Sequence, residues 1–153
     1  KDSHVTLINK ENVMKRILIA SCILLASTVA QASPQVDCLA KMAYMEARGI
    51  NKQAVKDVTD VMFNRIKHHK FPDSVCKNIN KKSQYPWAAK GSKVKDIQTY
   101  KAIYKQVDSE YAKFKLGTWK DGTNGAMYFN NRPGKPYPKA KFLFKRNSHY
   151  FYK

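Results

Sequence analysis

One carboxylate in the chain is placed where chemistry is possible. Glu46 lies inside "MAYMEARGI", residues 42–50, with Ala43, Met45 and Ala47 as apolar neighbours. Burial penalises an ionised carboxylate, so a glutamic acid here should hold its proton above the free pKa of about 4.3. A side chain still protonated near neutral pH is what a general acid requires. The competing reading is a buried carboxylate tied up in a salt bridge, with Arg48 or Arg65 as partner. Asp57 and Asp60, near Lys56, read as surface residues, as do Asp108 and Glu110 among lysines.

Other chemistry is harder to assemble. His68-His69 would suit a metal ion only with further ligands at the right spacing, and none follows, so no metal and no cofactor is expected. No phosphate-cradling glycine loop, G-x-S-x-G elbow or Cys-His nucleophile pattern is present. The aromatic loop "QYPW", residues 84–87, would either bind sugar faces or plug the core. In "YFN", residues 128–130, strand alternation would send one side chain to the core and two towards a cleft.

The elements that must position these residues follow from periodicity. Ser33-Pro34 opens a helix that stops at Gly49, with Leu39, Met42, Ala43 and Glu46 on one stripe. Glu46 therefore points inwards or into a cleft. A second helix spans residues 51–69, a short turn of helix follows Pro72-Asp73, and a polar loop carries Tyr85 and Trp87. The third long helix, residues 94–114, has Ile97, Tyr100, Ile103, Tyr104, Val107, Tyr111 and Phe114 on its apolar stripe. "GAMYFNN" and the segment from Lys141 to Lys153 read as strands. The fold class is mainly α, of α+β type, with a small C-terminal sheet or hairpin.

Three segments are expected along the chain. Residues 1–13 form an unpatterned leader. Residues 14–32 resemble a secretory signal: Lys15-Arg16, an apolar run from Ile17 to Val29, and Ala30-Gln31-Ala32 as cleavage site. Cys22 ends a lipobox-like "IASC", but most of the apolar run follows it, which argues against a lipoprotein. Residues 33–153 form a single domain. Of 29 basic and 11 acidic residues, four and two fall before Ser33, leaving 25 against 9, a charge of +16. Such an excess draws polyanions, and with an export signal the anionic polymers of the cell envelope rank first and nucleic acid is not expected. The mature segment keeps Cys38 and Cys76, an even pair that favours a disulfide after export, two unlinked core thiols being the alternative.

The ordered set "CLAKMAYMEARG", "VMFNRIKHHKFPDSVCKNI", "SQYPWA" and "GAMYFNN" resembles the cell-wall hydrolase family of the spore-cortex-lytic enzyme SleB, over residues 37–130. The resemblance implies a lysozyme-like helical catalytic core and cleavage of the peptidoglycan glycan between N-acetylmuramic acid (MurNAc) and N-acetylglucosamine (GlcNAc). It makes Glu46 the catalytic acid. Asn64, Gln84, Tyr85, Trp87, Tyr128 and Asn130 would bind the substrate, with Arg48 and Arg65 as structural support. Ile50 stands where the family pattern carries a second glutamate, Pro86 replaces a serine, and Tyr128 takes a position often held by histidine. With one carboxylate in place, a lytic transglycosylase is expected ahead of a muramidase-type hydrolase, which needs two. An amidase would need zinc. A non-catalytic basic envelope-binding protein is the rival from another class. Export to the periplasm or envelope, peptidoglycan strands as partner and a monomeric state complete the expectation.

Overall fold

A computed structural model describes residues 33–153, except 82, 83, 135 and 137. The expected leader (1–13) and signal segment (14–32) lie outside the described residues.

Helix α1, Pro34–Ala47, starts where Pro34 occupies a first-turn position that needs no N–H. The Ser33 side chain makes no cap bond, and its carbonyl instead receives the amides of Val36 and Asp37. Gly49, at φ +78°, then adopts the left-handed conformation that lets the chain leave the helix. Asn51 caps α2, Lys52–Lys67, by accepting the Ala54 amide at 2.9 Å. Ser74 caps the short α3, Val75–Asn80, in the same way. Residues 86–89, expected as loop, form a single turn of helix, α4 (Pro86–Ala89), again led by a proline. Asp96 caps α5, Ile97–Lys115. Ile97 sits off the buried stripe and is half exposed, whereas Ile103 and Val107 are buried.

Helices α1, α2 and α5 enclose the main core, built on Leu39, Met42, Tyr44, Val58, Met62, Phe63 and Val107. Burying each large apolar side chain contributes roughly 1.5–3 kcal/mol. Phe63 stacks on Phe114 at 4.3 Å and meets Trp119 edge-on at 5.4 Å, fixing the end of α5 against α2. The Tyr44 hydroxyl accepts the amides of Lys95 and Asp96, fixing its start. Cys38 and Cys76 are disulfide-bonded, joining α1 to α3.

Three antiparallel strands, β1 (Tyr128–Asn130), β2 (Phe142–Arg146) and β3 (His149–Tyr152), form a sheet in the order β1-β3-β2. Phe129 pairs with Phe151 and Asn130 with Tyr150. Alternation turns His149 and Phe151 inwards, where Phe151 packs on Val61 and Ala126 and so docks the sheet on α2. The mainly helical fold with a small C-terminal sheet is the expected one.

Candidate active site

Glu46 lies in the last turn of α1 and forms part of the wall of a cavity of about 460 Å³. Each element supplies a piece of that wall. Met45 and Glu46 come from α1, Arg65 from α2, Gln84, Tyr85 and Pro86 from the start of α4, Phe129, Asn130 and Asn131 from β1 and its exit, and His149 from β3. A second hollow of about 320 Å³, between the α1–α2 corner and α5, has Arg48 and Lys52 as its titratable wall residues and holds no proton donor suited to neutral pH.

The Glu46 carboxyl is half buried. Burial pushes its pKa above the ordinary value of 4.5, while the Trp87 indole and the positive charge of Arg65 act against that rise. The indole N–H donates to Oε1 at 2.6 Å. None of the ion pairs among the described residues involves Glu46. The two arginines that could have closed on it are committed elsewhere. Arg65 Nε donates to the Met127 carbonyl at 2.6 Å and its Nη1 to the Tyr85 hydroxyl at 3.0 Å. Arg48 lies 4.9 Å over the ring of Tyr44. The salt-bridge reading of Glu46 therefore gives way to a carboxyl that opens on a cavity.

Not all of the expected site residues meet there. Gln84, Tyr85, Asn130 and Arg65 line the cavity with Glu46. Tyr85 is buried, its hydroxyl pushed up by desolvation, so it is wall more than surface. Trp87 does not line the cavity, and its indole N–H is turned onto the Glu46 carboxyl. Asn64 does not line the cavity either. Its buried Nδ2 donates to Thr123 Oγ1 and to the Ala126 carbonyl, both at 3.2 Å, and so shapes the turn leading into β1. Tyr128 belongs to a separate hollow beside Phe71, with the Arg65 guanidinium 5.6 Å from its ring.

Five residues of the wall, Met45, Pro86, Phe129, Asn131 and His149, carried no expected site role. Phe129 and His149 meet edge-to-face at 5.2 Å and close the cavity on the sheet side. Burial holds His149 towards its neutral form, opposed by the Glu46 backbone carbonyl and the charge of Asp57. Its signal lay in "HYFY", where period-two alternation puts His149 on the inward face with Phe151.

Asp57 and Asp60, expected at the surface, are 1% and 0% exposed. Arg146 Nη1 and Gln53 Nε2 both reach Asp57 Oδ1 at 2.8 Å. Lys56, the Trp119 indole and the Gly122 amide bind Asp60. Asp60 is thereby bound at both oxygens and Asp57 at Oδ1, its Oδ2 lying buried without a hydrogen-bond partner, and neither group reaches the cavity wall. Among the described residues, Glu46 is the one carboxyl group that lines it.

A comparison with curated proteins finds no match. Among solved structures, the catalytic domain of the Bacillus cereus SleB protein is similar, with a TM-score of 0.57 and 21% identity over 78% of this chain and 89% of that one. The catalytic domain of the germination-specific lytic transglycosylase SleB from Bacillus anthracis aligns at a TM-score of 0.59 and 20% identity, covering 83% of this chain and 100% of that one. At this identity the likeness establishes the shared fold. In sequence, residues 50–152 match the family described as Cell Wall Hydrolase, a span that begins just after Glu46 and includes the α2, α4 and sheet walls of the cavity. The chain belongs to the cell wall hydrolase family.

Proposed function

We propose that the protein cleaves the MurNAc–GlcNAc bond of peptidoglycan as a lytic transglycosylase, with Glu46 as acid and then base. The observation that carries this reading is one desolvated carboxyl, held by an indole N–H, in a cavity whose described wall offers no second carboxylate. Glycosidases that hydrolyse by retention or inversion normally place two carboxyl groups about 5–9.5 Å apart. A transglycosylase works with one. Glu46 gives its proton to the glycosidic oxygen as the bond from C1 breaks and the GlcNAc hydroxyl departs. The resulting carboxylate then takes the proton of the MurNAc C6 hydroxyl as O6 bonds to C1, closing a 1,6-anhydro ring and returning the proton to Glu46. No water is consumed.

The family membership supports the same reading, as does the similarity to a B. anthracis protein described as a lytic transglycosylase. Gln84 and Asn130 supply polar groups to the sugar, and Phe129 an apolar face. The Cys38–Cys76 bond suits a protein that works in an oxidising compartment, in keeping with export by the segment at residues 14–32 and a single catalytic domain at 33–153. Mass spectrometry of products from purified sacculi tests the chemistry. Anhydro-MurNAc ends are expected; reducing MurNAc ends would make the enzyme a hydrolase, and release of peptide stems without cut glycan would make it an amidase.

A further inference from the structure

The hollow that holds Tyr128 has a composition unlike that of the Glu46 cavity. It measures about 220 Å³, and its wall includes His68, Lys70, Lys139 and Lys153 alongside the rings of Phe71 and Tyr128. Among the described residues no carboxylate lines it. The backbone N–H of Lys70 donates to His68 Nδ1 at 3.2 Å, which leaves Nε2 as the protonated nitrogen of that ring, a donor. Burial first, and then the ammonium groups of Lys70 and Lys153, favour that neutral ring. The site thus offers ammonium groups and an imidazole N–H against an aromatic floor, a chemistry suited to a carboxylate on a short peptide.

Its position relative to Glu46 sets the ligand. Arg65 is a wall residue of the Glu46 cavity, and its guanidinium lies 5.4 Å from the Phe71 ring and 5.6 Å from the Tyr128 ring. Arg65 thus lines one hollow and packs on two rings of the other. In peptidoglycan the MurNAc ring that is cut at C1 also carries, through its lactyl ether at C3, a peptide stem with free carboxylates. We propose that the His68–Lys70–Lys139 hollow is an anion subsite for that stem, so that the enzyme reads a stem-bearing MurNAc next to the bond it cleaves. The proposal rests on the glycan-cleavage reading above.

The test uses Glu46→Gln protein, so that binding is measured without cleavage, and cosedimentation with two probes: intact sacculi, and glycan strands stripped of stems by an amidase. Intact sacculi should bind about fivefold more tightly at physiological salt, as two exposed ion pairs would allow. Adding Lys70→Ala and Lys139→Ala should abolish that preference and leave binding to stripped glycan unchanged. Lys101→Ala with Lys105→Ala, an equal loss of charge on α5, should keep it. Equal weakening on both probes, or the same loss from the α5 pair, overturns the proposal. So does a preference that disappears when covalently attached phosphate polymers are first removed from the sacculi, because the ligand would then be a phosphate. If the unsubstituted enzyme releases no cut glycan, the Glu46 chemistry falls, while the binding contrast still decides the subsite.

Discussion

Glu46 on α1 and Asp60 on α2 start from the same chemistry and end in different roles. For each, burial is the first cause of a raised pKa. Each accepts a bond from an indole N–H, Trp87 at 2.6 Å for Glu46 and Trp119 at 2.8 Å for Asp60. Asp60 is also gripped by Lys56 Nζ at 2.7 Å and the Gly122 amide at 2.8 Å, with no exposed surface left. Its ionised form is saturated with donors, and nothing can approach it. Glu46 has the indole on one side and a cavity on the other. Burial raises a carboxyl pKa at either place; fewer donors and an open approach leave only one of the two able to hand a proton to a ligand.

The contrast can be broken at either end. The largest effect expected is on Glu46→Gln, which keeps the shape and the acceptor for Trp87 but has no proton to give. Release of glycan ends should fall by about 10³-fold or more. Activity within tenfold of the parent would remove Glu46 from the mechanism. Asp60→Ala strands a half-buried ammonium, an indole and an amide, and should cost about 3 kcal/mol in urea unfolding while the folded fraction keeps its activity. Loss of activity at full stability would assign Asp60 to the chemistry instead. Trp119→Phe, which removes a single donor from Asp60, should cost about 1 kcal/mol and leave the pH–rate profile in place.

Trp87→Phe sharpens the comparison from the other side. The indole N–H favours ionised Glu46, so its loss lets the pKa rise further. A general acid works only below its pKa. The alkaline limb of kcat should therefore move to higher pH, and a stationary limb would show that this bond does not reach the catalytic proton. The smallest effect concerns stability. Because the folded pKa of Glu46 is raised, its contribution is complete below the ordinary value of 4.5 and is lost as pH rises through the folded value. Glu46→Gln should then melt slightly above the parent at neutral pH, with the gap closing in acid. A gap of constant size across the titration would mean that burial does not shift this group.

The same pair shows what the sequence makes legible. The stripe through Leu39, Met42, Ala43 and Glu46 is local, repeating within one helix, and it placed Glu46 on the inner face. Asp57 and Asp60 have equally plain helical positions, but Lys56 beside them suggested a solvated face. The partners that internalise them come from Trp119, Gly122 and Arg146, on segments 59 to 89 residues away. Trp87 illustrates the same limit: an aromatic in a polar loop suits a sugar face, and only the folded chain turns its N–H onto Glu46. His149 escaped notice because its part in the cavity depends on how β3 docks on α2. The helices, the strands and the inward-facing carboxyl were readable from short-range pattern, whereas which side chains meet around that carboxyl is decided by long-range contacts.

The direction in which α1 runs has a further consequence. Its peptide dipoles leave partial negative charge at the end near Ala47, where the last turn holds no basic residue and Arg48 follows at the C-cap with its guanidinium over the Tyr44 ring. A carboxylate at Glu46, one residue from that end, is disfavoured by the field, as a neutral carboxyl is not. The polarity of the main chain thus adds to desolvation in keeping the proton in place, and the same residue set into the opening turn by Pro34 would feel the opposite pull.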